Sequence, residues 1–143
     1  MAVSVYLDTS LLVALLTGDD AFTDRASVFP AADPDVLVVS DFAAAEFSSV
    51  MARLTRMRRL TQAEALAVFA AFDAWRARAI QSAVTLPQDI GAAAAFLRRL
   101  DMNLRTPDAI NIAIAHRVGA ALATFDEAMA SNARTLGMAV AAA

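Results

Sequence analysis

The sequence contains no cysteine, no lysine and a single histidine. Without thiols there is no disulfide framework, no thiolate zinc site, no iron–sulfur cluster and no cysteine nucleophile. The missing lysine removes a P-loop lysine, a Schiff-base lysine and a lysine general base. The one imidazole, His116, has no partner at metal-ligand spacing and reads as helix surface or core. Any metal ion this chain binds must therefore be held by oxygen.

Long apolar runs are also missing. Hydrophobic residues make up 59% of the 143 residues and the mean hydropathy is +0.52. Yet stretches such as Ala109 to Ala115 and Val118 to Phe125 are broken by charge or glycine well short of the roughly 18 residues that a spanning helix needs. The apolar content reads as a packed core, and the length as one domain over residues 1–143. The opening MAVSVYLDTS has neither a basic region nor a small-residue cleavage site, so the expected location is the cytoplasm, with no membrane association.

Net charge is −3, which by itself disfavours nucleic acid, because backbone phosphates favour basic surfaces. The sign depends on few residues. Setting aside Asp8, Glu46, Asp108 and Asp126 leaves twelve arginines against eleven acids.

Short β-like runs alternate with helical patterns, which predicts an α/β fold. Val3 to Leu7 reads as a strand, followed by Asp8, Thr9 and Ser10 as N-cap candidates for a helix through Leu16 that Gly18 ends. A helix over Thr23 to Ala31 and a strand over Val36 to Val39 follow. Ser40 caps a long helix containing Glu46 and running to about Arg59. Thr61-Gln62-Ala63-Glu64 is a capping box for the next helix, to about Arg78, giving an αα-hairpin. Ile80 to Thr85 is a further strand candidate, and Pro87 opens a helix to about Leu100. Thr106 as N-cap and Pro107 as first residue start a helix to about Val118, stopped by Gly119. Ala120 to Thr124 is a strand, Asp126 starts a short helix, and Met138 to Val140 is a last edge strand. Parallel strands with helical crossovers bring their C-terminal ends to one edge, where ligands of open α/β sheets bind. Three of the four acids should converge there.

Each acid also has a plainer reading. Asp8 and Asp126 are good N-cap residues, and Asp108 lies in a first helical turn where an anion favours the macrodipole. Glu46 is different. It sits in Phe42-Ala43-Ala44-Ala45-Glu46-Phe47, where a buried carboxylate needs compensation. Carboxylates gathered at one edge repel unless a cation lies between them. An all-oxygen set suits Mg²⁺, with Mn²⁺ as a substitute, binding one ion or two. Such an ion activates water and neutralises a leaving oxygen, which is the chemistry of phosphodiester hydrolysis.

Several neighbours bear on that site. Asn111 falls three residues after Asp108 on the same helix face and reads as a water-orienting amide or as an ordinary buried one. Ser10 and Thr124 flank the cluster as hydrogen-bond donors to its carboxylates or as local caps. Arg53, Arg56, Arg58 and Arg59 crowd one helix end, fit either for RNA phosphates or for complementing the helix C-terminus. Phe69, Phe72 and Trp75 form a packing stripe.

Asp8-Thr9-Ser10 after a first strand, Glu46 in a long helix, Thr106-Pro107-Asp108-Ala109 opening a late helix and Thr124-Phe125-Asp126 after a late strand together resemble the PIN domain. The ordered set spans nearly the whole chain. With the Leu104-Arg105-Thr106-Pro107-Asp108 run, it looks most like the VapC-type toxins of bacterial toxin–antitoxin pairs. The resemblance implies a three-layer α/β/α sandwich around a central parallel sheet of about five strands. It implies Asp8, Glu46, Asp108 and Asp126 as the catalytic, metal-holding quartet of a Mg²⁺-dependent endoribonuclease. It also implies a homodimer, and inhibition by a VapB-like antitoxin whose C-terminal segment covers the site. The hairpin between Ser40 and Arg78 offers apolar surface for such partners. Two other classes stand against this. A phosphatase using Asp8 as nucleophile would usually recruit a lysine, and there is none. A non-catalytic RNA-binding or interaction module would keep the fold and use the acids as caps.

Overall fold

Strand β1 (Ser4–Leu7) is followed by α1 (Thr9–Thr17), β2 (Val36–Ser40), α2 (Asp41–Arg56) and α3 (Gln62–Ala79). Then come β3 (Ile80–Ala83), α4 (Pro87–Arg98), α5 (Thr106–Arg117), β4 (Ala121–Ala123) and α6 (Glu127–Thr135). These are the elements of a computed structural model that describes residues 4–18 and 36–141. The helix expected over Thr23 to Ala31 lies outside the described residues.

The four strands form one parallel sheet in the order β3-β2-β1-β4. Alternation along the strands divides their side chains between two cores. Val5, Leu7, Leu37, Val39 and Ala123 face α1, α2 and α3, where Leu11, Leu12, Phe47, Met51 and Phe72 pack on them. Tyr6, Val38 and Leu122 face the other way, onto Ala93 of α4, the buried run Ala109 to Ala115 of α5, and Met129 and Ala133 of α6. A parallel sheet buried on both faces needs strands that are apolar throughout, and Val36-Leu37-Val38-Val39 is such a strand. The result is the three-layer α/β/α sandwich.

Among the described residues a fifth strand does not develop. The run Met138 to Val140 reaches the β4 edge only as a one-residue bridge between Leu122 and Val140. The Leu122 N–H donates to the Ala139 carbonyl at 3.0 Å, and the Ala141 N–H donates to the Leu122 carbonyl at 2.7 Å. All three residues of β4 stand in register with β1, and because backbone groups alternate in direction along a strand, only the middle one, Leu122, turns its N–H and carbonyl to the outer edge.

Local signals set most boundaries. Thr61 Oγ1 accepts from the Glu64 N–H and Glu64 Oε1 accepts from the Thr61 N–H, the expected capping box. Gly18 at φ 67° and Gly119 at φ 72° lie in the left-handed region past α1 and α5, where a Cβ would be strained. Helix α2 stops at Arg56 rather than Arg59, because Arg58 takes φ 58° to turn the chain into α3. Helix α5 begins at Thr106, with Arg105 and not Thr106 at the N-cap position.

A candidate acidic active site at the sheet's C-terminal edge

Strand order reverses between β1 and β4: the chain steps outward from β1 through β2 to β3, then returns to pair β4 on the other side of β1. A crevice opens outside the strand ends at such a switch point. The backbone ties the two strand ends together there, the Asp8 N–H donating to the Ala123 carbonyl at 3.0 Å. Asp8, Glu46, Asp108 and Asp126 all line one cavity of about 590 Å³ at this place.

Two of the acids arrive at strand ends and two on helices. Asp8 follows β1 and Asp126 follows β4, Glu46 projects from α2, and Asp108 lies in the first turn of α5. The expected convergence therefore involves all four, with two rather than three supplied directly by strand ends.

Asp8 occupies the N-cap position of α1, yet its side chain makes no capping hydrogen bond. Its Oδ2 instead accepts from Thr124 Oγ1 at 2.7 Å and from Ser10 Oγ at 3.0 Å. Ser10 also accepts the Phe125 N–H at 3.2 Å, and Thr124 the Asp126 N–H at 3.0 Å. Ser10 and Thr124 thus hold Asp8 and the turn after β4 in one network. Burial pushes the Asp8 carboxyl above its ordinary range, the two hydroxyls and the Thr9 backbone oppose this, and the charge of Asp108 adds to the rise.

Glu46 is half-buried and accepts through Oε1 from Asn111 Nδ2 at 2.6 Å and from Thr9 Oγ1 at 3.0 Å. Its carboxyl is also raised, first by burial, against Asn111 and Thr9, and further by Asp8 and Asp108. These are the donors that its apolar sequence context demanded. Asn111, nearly fully buried, also donates to the Pro107 carbonyl at 3.0 Å, so its amide is bound to Glu46 and the start of α5. Asp108 meets Arg105 at 3.4 Å, a long contact to an exposed guanidinium. Asp126 does cap: its Oδ1 accepts from the Met129 N–H at 3.0 Å.

Behind Asn111 lies a buried chain of hydroxyls that sequence reasoning missed. Tyr6 donates its phenol proton to Asn111 Oδ1 at 2.5 Å. Its oxygen lies 2.6 Å from Ser40 Oγ, which must therefore donate to it, while Ser40 accepts the Ala43 N–H at 2.9 Å. Burial pushes the Tyr6 phenol well above its ordinary range. A signal was available, since Tyr6 is the chain's one tyrosine, set between Val5 and Leu7 in a buried strand where a phenol needs a partner. In the sequence Thr9 reads only as a cap candidate, whereas in the fold its hydroxyl donates to Glu46.

Of the arginine cluster, Arg53 lines the acidic cavity, and Arg105 joins it there. Arg56 lies on a different groove. His116 is exposed on α5, and Phe72 packs between Phe47 and Trp75 in the core, as a packing stripe should. Among the described residues, no three acids close tightly enough on one point to form a complete metal cage by themselves, and no helix is long and apolar enough to cross a membrane.

The structure is similar to that of VapC20 from Mycobacterium tuberculosis, described as a sarcin–ricin loop-cleaving toxin. That match has a TM-score of 0.75 and 21% identity, covering 97% of this chain and 99% of that one. It is also similar to VapBC2 from Rickettsia felis bound to a promoter DNA fragment, with a TM-score of 0.70 and 11% identity over 96% and 97% of the chains. FitAcB from Neisseria gonorrhoeae gives a TM-score of 0.65 and 14% identity over 95% of each chain. At these identities the likeness is one of fold. A sequence search of curated proteins found no match. The family model described as PIN domain matches residues 5–134, from the first strand through the last helix, taking in all four cavity acids. By that match and by its fold, the chain belongs to the PIN domain family.

Proposed function

We propose that this protein is a divalent-metal-dependent endoribonuclease, the toxin of a toxin–antitoxin pair held in check by a cognate antitoxin. The observation that supports the reading most directly is the placement of Asp8, Glu46, Asp108 and Asp126 around one cavity at the sheet's switch point. Solved neighbours include a toxin described as cleaving the sarcin–ricin loop and VapBC and FitAB assemblies, which supports both the substrate class and an antitoxin partner. A homodimer belongs to the same proposal.

The donor set fits Mg²⁺ or Mn²⁺. It is all carboxylate, and the carboxyls of Asp8 and Glu46 are raised first by burial and further by nearby negative charge, from Asp108 on both and from Asp8 on Glu46, which a cation offsets. Mg²⁺ takes one or two carboxylates and keeps several waters, so it does not require the three-acid group that the described residues lack. Asp8, Asp108, Asp126 and Glu46 are the residues that would hold it. When bound, such an ion activates water and neutralises charge on the leaving 3′-oxygen.

The chain's own residues prepare that chemistry. Ser10 and Thr124 fix the Asp8 carboxylate by donating to one of its oxygens. Asn111 and Thr9 orient Glu46 so that its ionised form is supported at the cavity wall. Arg53 and Arg105 supply positive charge beside the acids, which a polyanionic substrate requires. A non-catalytic RNA-binding module on the same fold finds support in one residue, Asp126, whose carboxylate caps α6.

The deciding experiment incubates the protein with a pool of structured RNAs, with Mg²⁺ and with EDTA, beside a folded Asp8→Asn variant. Discrete products that need metal and vanish in the variant support the nuclease. No products, with no measurable Mg²⁺ or Mn²⁺ binding, favour the binding module.

A further inference from the structure

We infer that Arg53 and Arg59 form a phosphate-binding trough that grips single-stranded RNA on one side of the acidic cavity. The inference rests on the nuclease reading for the identity of the polyanion, but not for the trough itself. A second cavity, of about 190 Å³, adjoins the acidic one and shares Val13, Val50 and Arg53 with it. Arg59 lines this second cavity and not the acidic one, and among the described residues no carboxylate lines it.

The helix explains the alignment. Glu46, Val50 and Arg53 fall at i, i+4 and i+7 on α2, one stripe of its surface. Arg53 therefore stands two turns, about 10 Å along the axis, from the catalytic glutamate. The left-handed turn at Arg58 then folds the chain back, so that Arg59 and Leu60 return to the same trough. Both arginines are exposed, and neither forms an ion pair with another described residue. Planar forks of this kind suit phosphate oxygens. The acidic centre repels a polyanion, and net charge is −3, so affinity must come from a local basic strip of this sort. Its position to one side gives the strand a fixed path, with a phosphate next to the scissile one held at Arg53 and the following one at Arg59.

The test measures binding of a labelled oligouridylate to the non-cleaving Asp8→Asn protein across a salt series. Adding Arg53→Ala and Arg59→Ala should weaken binding about tenfold at 0.1 M salt and flatten the slope of log K against log salt by about 1.4, or 0.7 for each lost phosphate contact. Arg56→Ala removes one arginine charge from a different groove and should change affinity less than twofold, against about threefold for Arg53→Ala or Arg59→Ala alone. Equal losses from Arg56→Ala, or an unchanged slope in the Arg53 and Arg59 double variant, overturn the proposal. Cleavage by the unsubstituted protein is scored separately. A chain that binds through these arginines without cleaving would refute the nuclease and leave the trough standing.

Discussion

Tyr6 donates a 2.5 Å hydrogen bond to Asn111, 105 residues further along the chain, and so fixes which end of that amide faces Glu46. With Oδ1 taken by the phenol, Nδ2 must point to the carboxylate and to the Pro107 carbonyl. Tyr6→Phe keeps the ring and removes only this constraint. It should destabilise the fold by about 1–3 kcal/mol, the cost of leaving buried polar partners unsatisfied. It should also lower metal-dependent cleavage about 10- to 100-fold, as loss of a ligand's supporting partner typically does. Urea denaturation and initial cleavage rates check the two effects. Unchanged cleavage in a destabilised variant would reduce Tyr6 to a packing residue.

Asp8 and Asp126 occupy equivalent cap positions but should respond differently to substitution. Asn caps about as well as Asp, so Asp126→Asn should hold stability within a few tenths of a kcal/mol, while Asp126→Ala loses about 1 kcal/mol. Asp8 makes no side-chain cap bond, so even Asp8→Ala should show no capping loss beyond that of its bonds to Ser10 and Thr124. In the nuclease, both Asn variants lose cleavage. Denaturation curves in EDTA, beside cleavage assays in Mg²⁺, separate the two roles.

Metal-free protein should lose stability as pH rises above the ordinary carboxylate range. Burial raises the folded-state carboxyls of Asp8 and Glu46, so between the unfolded and folded values the native state binds more protons. Stability is then full below that window and falls through it. Asp41 behaves oppositely. Burial pulls its carboxyl up, but donors from Thr85 and the Phe42 backbone outweigh this and hold it low, so its contribution is lost only in more acidic solution. Mg²⁺ should flatten the decline by favouring the ionised acids. Denaturation midpoints between pH 4 and 7, with EDTA or Mg²⁺, check this, and Asp8→Asn should remove part of the slope.

Thr61→Ala should separate stability from chemistry. The capping box that it breaks lies at the start of α3, away from the acidic cavity. About 1 kcal/mol of stability should be lost with cleavage per folded molecule unchanged. Thermal melting and rate measurements below the transition test the pair of outcomes.

Much of this architecture was legible in the residues. Helix starts announced themselves through Thr61, Ser40 and Pro87, and stops through Gly18 and Gly119, because capping is local chemistry. The β2 strand was plain, since a fully buried parallel strand must be apolar throughout. Bonds from Ser10 and Thr124 to Asp8 could be anticipated from their neighbourhood in sequence to the acids. What stayed hidden depended on distant contacts. The Tyr6 to Asn111 bond spans the fold, and the reduction of Met138 to Val140 to a bridge depends on how little of β4 faces outward. That Asp8 forgoes its cap for Thr124 follows from a partner 116 residues away.

That separation also fixes when the site comes into being. The β1–β4 seam pairs residues 116 positions apart, and contacts of such high sequence separation form late, after the local helices have already appeared. Asp8 and the Thr124 hydroxyl that braces it stand 116 residues apart. A nascent chain therefore holds its acids apart until that whole stretch has been made and the seam has closed, and the cavity exists only from then on.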